Sequence, residues 1–201
     1  MIIDTDIDIL ENTKLEIIVD KILKEQKLSS IESNLLQSQK AFYKVSDNDI
    51  KDVVRKSIKV LGSQCSLNWI DTSKVTNMSE LFAELYQFNG NISDWDVSNV
   101  ENMSWMFSLC ENFNQSLNNW DVSRVKDMRF MFYNCENFNQ PLNNWDVFNV
   151  ENMSWMLSNC KKFNQPLNNW DVSKVKDGTL IFKYCPIKEE YKPRFQKMSR
   201  L

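Results

Sequence analysis

Apolar and polar positions along this chain fall into a beat of 25 residues. Four tryptophans mark it, Trp95, Trp120, Trp145 and Trp170, and what lies between them repeats almost letter for letter. From Trp95 the units read WDVSNVENMSWMFSLCENFNQSLNN, WDVSRVKDMRFMFYNCENFNQPLNN and WDVFNVENMSWMLSNCKKFNQPLNN, then a degenerate WDVSKVKDGTLIFKYC that ends at Cys185. A looser unit with one extra residue starts at Trp69. A period of about 20 to 50 residues marks stacked supersecondary units, none of which can bury its apolar side alone.

Two patterns alternate inside each unit. Leu142, Trp145, Val147 and Val150 follow L-x-x-W-x-V-x-x-V, a leucine-rich-repeat strand template with Trp in one Leu slot. On such a strand Trp145 and Val147 point to one face, and Asn144, Asp146 and Phe148 to the other. Asn102, Asp127, Asn152 and Asp177 then stand where an N-cap side chain accepts backbone N–H bonds. Asn77 with Glu80 fits a variant of the capping box. Behind the cap, Met103, Met106, Phe107 and Cys110 fall at i, i+3, i+4 and i+7, one apolar stripe of a short helix.

The expected fold class is therefore an α/β solenoid. It is a leucine-rich-repeat-like stack of about five 25-residue rungs, each a short parallel strand plus a short helix, with an N-terminal helical cap. The predicted organisation is a helical region and cap over 1–64, the solenoid over 65–185, and a C-terminal cap or tail over 186–201. Upstream of the array, Leu15, Ile18, Val19, Ile22 and Leu23 share one helical face. Ile31, Leu35, Leu36 and Phe42 share a second, capped by Ser29 or Ser30, and a third helix runs from Asp47 or Asp49 to a stop at Gly62. These helices either cover the open first rung or, over 1–46, form a separate partner-binding or dimerising element.

The string W-D-V-S-x-V-x-x-M-x-x-M-F-x-x-C-x-x-F-N-Q-x-L resembles the BspA-type leucine-rich repeat, also found in mycoplasma lipoproteins of unknown function. The resemblance extends over roughly residues 49–195, from the lead-in IKDVVRKSIKVLGSQCSLNWIDTSKV to the closing CPIKEEYKPRF. It implies an all-parallel solenoid with no catalytic residues, and relatives that are surface proteins binding host or partner proteins.

Composition narrows the function classes. A chain of 201 residues, 42% hydrophobic, can bury a continuous core. A net charge of −3 with interspersed signs carries no basic stripe, so nucleic acid is not an expected partner. No stretch approaches the run of about 18 apolar residues that a membrane span needs. The start MIIDTDIDILENTK has no basic n-region and does not read as a secretory signal. With Met1 as the native start the expectation is a cytoplasmic protein, with a surface or secreted location as the alternative that the resemblance implies.

Zero histidines remove the usual general base and the Ser/His and Cys/His dyads, and no glycine-rich phosphate loop is present. The expectation is a protein that is not an enzyme, with no cofactor, no catalytic residue and no metal site. Cys110, Cys135, Cys160 and Cys185 share one slot, with Cys65 ahead of the array, and read as a column of buried thiols.

Three columns remain as candidate surfaces. Asp96, Asp121, Asp146 and Asp171 project from one strand position beside Asn119 and Asn144. They form an acidic groove for a basic peptide, a protein or a cation, or else each binds local backbone or the Ser two residues on. Phe148 replaces that Ser in one rung and is the candidate hot spot. Trp105, Phe130 and Trp155 form a second row on the helix side, open for partner binding or self-association or else stacked rung on rung. Glu101, Lys126, Glu151 and Lys176 alternate in sign, so that neighbouring rungs can pair.

The leading functional expectation is a non-catalytic interaction module that binds a protein or peptide through the strand face, as a monomer or with weak self-association. The alternative is a surface, adhesin-like or self-assembling structural repeat protein.

Overall fold

The computed structural model describes residues 4–195 except residue 41, with side chains from residue 13 onward. The expected C-terminal tail beyond 195 lies outside the described residues. Three helices lead the chain: α1 (Asp4–Leu23), α2 (Ser30–Gln37) and α3 (Ile50–Leu61). Between them and after them come two short parallel strands, β1 (Tyr43–Lys44) and β2 (Ile70–Asp71). Ser29 caps α2 in a reciprocal capping box with Glu32, and Gly62, at φ 92°, ends α3.

From Thr72 to Lys188 the described chain holds no regular helix or strand. The short helix expected behind each cap is absent, and so is the strand expected at Trp and Val. The caps are nevertheless in use. Asn77, Asn102, Asp127, Asn152 and Asp177 each accept, through Oδ1, the N–H two residues on, at 2.9–3.0 Å. That is an Asx turn, the other local structure an Asn or Asp side chain can stabilise. The same five residues form single parallel bridges from unit to unit.

What replaces the helix is a folded ribbon bonded along the stack. N–H groups of Met103, Trp105, Phe107 and Leu109 donate to the carbonyls of Asp127, Arg129, Met131 and Tyr133 in the next unit. All four junctions of the array repeat this set of four bonds, at 2.7–3.0 Å. Every second peptide plane thus lies along the stack, C=O toward the preceding unit and N–H toward the following one. The peptides between close tight turns instead, as in Met106 N–H to Met103 O and Cys110 N–H to Phe107 O. A helix would need those same N–H groups for carbonyls four residues back, so the two arrangements exclude each other.

The ribbon requires left-handed backbone at its second and fourth donors. Trp105, Leu109, Phe130, Asn134, Trp155 and Asn159 all lie at φ 56–65°. For non-glycine residues this costs about 1–2 kcal/mol each, less for Asn. Four junction bonds at about 1 kcal/mol net apiece roughly offset that cost. The decisive term is burial. Met103, Met106, Phe107 and Cys110 are all fully buried, and each large apolar side chain contributes about 1.5–3 kcal/mol. The i, i+3, i+4, i+7 stripe faces the core in this ribbon as it would in a helix.

One continuous core runs from Leu15 in α1 to Ile187 beyond the last unit. Rings equivalent by 25 residues stack through it. Phe82, Phe107 and Phe132 lie 5.2 and 5.4 Å apart, and Phe88, Phe113, Phe138 and Phe163 about 6 Å apart, with planes within 12°. Each of Trp95, Trp120, Trp145 and Trp170 donates its indole N–H to a backbone carbonyl of the preceding unit. The cysteines are free thiols. Cys110, Cys135 and Cys160 point at carbonyls 28 residues earlier, at 2.9–3.0 Å, and burial pushes all three thiols up and out of reach of ionisation at neutral pH.

The N-terminal elements occupy the place of a preceding unit. Residues 42–45 run parallel to Trp69–Asp71 and donate to the carbonyls of Trp69 and Asp71. Asp47 accepts the N–H groups of Thr76 and Asn77, at 2.7 and 3.0 Å, and the Thr76 hydroxyl at 2.6 Å. In the next unit the corresponding N–H groups of Glu101 and Asn102 meet a main-chain carbonyl, that of Thr76, so the Asp47 carboxylate stands in for the carbonyl of a missing rung. Burial alone would raise its pKa, but these three bonds hold it below the usual carboxylate value.

Glu84, Leu109 and Tyr184 are the strained members of their column, since Asn134 and Asn159 fill the equivalent slot of the other two units. Leu109→Asn should therefore raise stability by about 1 kcal/mol, seen as a higher urea midpoint at unchanged slope.

Candidate functional site

The face formed by Asn144 to Phe148 and its equivalents alternates as the apolar pattern requires: Trp and Val inward, Asp and its flanking residues outward. Asp96, Asp121, Asp146 and Asp171 are all exposed, and so are Asn119 and Asn144. Each aspartate holds its own turn. Oδ1 accepts the N–H of Ser98, Ser123, Phe148 or Ser173, two residues on, at 3.0–3.1 Å. The Ser98 hydroxyl adds a bond to Asp96 at 2.7 Å. Local backbone bonding and an outward-facing carboxylate thus coexist in one residue.

These turns set the charge. For Asp121 and Asp171 the bonds from Ser123 and Ser173 hold the carboxyl below its ordinary value, helped by nearby Arg124 and Lys174. Each cation has a second partner: Arg124 donates to Asn99 Oδ1 and Lys174 to Asn149 Oδ1, both at 2.8 Å.

Asn118, Asn119, Trp120, Asp121, Val122, Asn144 and Asp146 line a shallow hollow of about 370 Å³ on this face. It brings together four of the predicted residues: Asn119, Asp121, Asn144 and Asp146. Asp96 and Asp171 lie outside it, in the units to either side. Phe148 also lies outside. Its ring is 41% exposed and carries the Lys174 ammonium at 3.9 Å from its centre, a cation–π contact that occupies one ring face.

The second predicted row is largely satisfied within the array. Trp105 stacks on Phe130 at 3.9 Å between ring centres, and Phe130 on Trp155 at 5.8 Å. Tyr133 meets Phe130 and Trp155 edge-on. Trp105, at the end of the row, remains 36% exposed. The ladder of alternating charges forms the pairs Lys126–Glu101 and Lys176–Glu151, both at 2.6 Å. Being exposed and screened by solvent, each adds little to stability.

A larger cleft, about 870 Å³, lies at the C-terminal end of the stack between residues 178–183 and 189–195. The repeat pattern gave no sign of it, because it arises where the pattern stops. Among the described residues no three His, Cys, Asp or Glu side chains come together as metal ligands, and no helix is long and apolar enough to cross a membrane.

A profile of the family described as "Mycoplasma protein of unknown function, DUF285" matches residues 48–159 and again 119–191, so that it spans α3 and the whole array. Comparison with curated proteins and with solved structures finds no match.

The aspartate turns make stability depend on acid. Carboxyls whose pKa is lowered on folding stabilise the fold above their unfolded pKa of about 4, and that contribution disappears as pH falls through the lower folded value. The urea midpoint should accordingly decline as pH falls below about 4. Asp121→Asn, which retains the turn acceptor, should make that decline shallower.

Proposed function

We propose that this chain, which belongs to the family of mycoplasma proteins of unknown function whose profile it matches over more than two thirds of its length, is a non-catalytic protein-interaction module. In this reading the array is a leucine-rich-repeat-like solenoid of the BspA type. Its acidic face, centred on Asp121 and Asp146, docks a basic segment of a protein partner.

The observation that carries the reading is the hollow where Asn119, Asp121, Asn144 and Asp146 converge. Its carboxylates are exposed, yet each is tied to a turn of a rigidly stacked unit. Such groups lose little conformational freedom on binding, which lowers one of the main costs of association. Carboxylates held at fixed spacing favour a partner with Lys or Arg at matching intervals, and steer it from a distance. Phe148 lies next along the face as an apolar contact. Self-assembly through the aromatic row has less support, because Trp105, Phe130 and Trp155 already spend ring faces on one another.

The test uses charge removal that spares the fold. Asn already serves as the turn acceptor at Asn77, Asn102 and Asn152, so Asp121→Asn with Asp146→Asn should fold normally. A fluorescein-labelled peptide of alternating lysine and serine should bind the unmodified chain, with affinity that falls as salt is raised. The double variant should weaken binding at least tenfold at equal circular dichroism. Equal affinity for both proteins would remove this face from the binding role.

A further inference from the structure

We infer that the C-terminal end of the stack is a second docking site, one that takes an acidic, extended peptide of another protein as an additional rung. This inference stands apart from the acidic face and does not depend on it.

The junction bonds have one direction. In units one to four the four ribbon N–H groups all donate to the following unit. In the last unit the equivalent donors are Gly178, Leu180, Phe182 and Tyr184, and among the described residues none of these N–H groups meets an acceptor. Three of the four residues belong to or border the 870 Å³ cleft, whose lining includes Gly178, Leu180 and Phe182. Among the described residues the site is therefore a row of unpaired donors on alternate residues, open to a cavity large enough for a chain segment. A segment with carbonyls on alternate residues supplies what the row lacks, as in peptide recognition by addition of a strand to an edge.

Polarity selects the occupant. The aligned peptides leave the N–H end of the stack partly positive and the C=O end partly negative, by the physics of a helix dipole. At the opposite end a cation covers one of the carbonyls: Arg55 Nη2 donates to Ala83 O at 3.1 Å. By the same logic the donor end suits anions, and two cations stand there. Lys183, whose ammonium lies over the Trp155 and Tyr184 rings, and Arg194 line the cleft with no carboxylate partner among the described residues, whereas Glu189 is paired with Lys192, and Glu190 with Lys188 at 3.8 Å.

Competing occupants fit less well. A second copy cannot pair its own donor row with this one, since donors face donors. At its carbonyl end Arg55 of α3 already donates to Ala83 O. Residues 196–201 of the chain, QKMSRL, carry two basic side chains and no acidic one, the same sign as Lys183 and Arg194.

The experiment is amide hydrogen exchange by NMR on the full chain, with and without a capped seven-residue peptide of alternating glutamate and valine. Seven residues present four carbonyls on alternate positions. Expected are rapid exchange at Leu180, Phe182 and Tyr184 in the free protein and at least tenfold slowing in the complex. Fluorescence anisotropy with the labelled peptide should show at least tenfold weaker binding for Lys183→Glu with Arg194→Glu, and unchanged binding for Asp121→Asn with Asp146→Asn. Phe182→Pro, which deletes one donor at the stack's edge, should also weaken binding. Slow exchange of these amides in the free monomer would mean that residues 196–201 fill the cleft, and would overturn the inference. So would slow exchange that appears only as a dimer forms, or equal binding of the lysine–valine counterpart.

Discussion

Everything in the array depends on one repeated choice of hydrogen-bond partner: alternate N–H groups look to the next unit rather than back along their own chain. A helix in the same segment would satisfy its backbone internally and present only side chains to its neighbours. The ribbon makes the backbone itself the joint, with four bonds at each junction and the same geometry at every step. It exacts left-handed backbone at residues as unsuited to it as Trp105 and Leu109, a strain that persists only where surrounding contacts over-determine it. Fully buried Met, Phe and Cys columns provide that constraint. The units are thus stable as a stack and not singly, and an interface lost at one junction weakens both of its neighbours.

This constraint also explains why surface chemistry recurs in columns. Once the backbone steps by 25 residues, every side chain stands beside its equivalent. Rings stack at 5–6 Å, Asn139 and Asn164 pass bonds to the previous Asn, and charges of alternating sign pair across junctions. Like charges in one column repel, and the aspartates offset this by bonding their own turns and by the presence of Arg124 and Lys174 nearby. A binding face of this kind comes preorganised, because what holds each carboxylate is the rung and not the ligand.

Much of this was legible in the residues. The 25-residue beat, the inward Trp and Val, the buried Met–Phe–Cys stripe and the outward aspartates all follow from spacing, and each is where spacing puts it. The secondary structure within a unit was not legible. An i, i+3, i+4, i+7 stripe behind an Asn or Asp reads as a capped helix, yet the ribbon buries the same four positions and uses the same side chain for an Asx turn. Periodicity reports which residues are inside, and two backbones share the answer. The clue that could have separated them is Asn134 and Asn159 in a slot where a helix gains nothing from Asn and a left-handed residue does. Asp47 was equally hidden, since its role as a substitute carbonyl belongs to the unit that is not there.

A stack with a bond direction has two unlike ends, and the chain treats them differently. At the carbonyl end, Asp47, residues 42–45 and α3 imitate a preceding rung down to its acceptors and set Arg55 on the Ala83 carbonyl. At the donor end the segment 186–191 covers only the side near Asn164 and Leu167, through Lys188 and Tyr191. The ribbon edge, from Gly178 to Tyr184, is left facing a cleft. Capping one end in such detail shows how strongly a bare edge is disfavoured. Among the described residues that leaves four donors without acceptors at the other end, a cost that a partner with carbonyls to offer would remove.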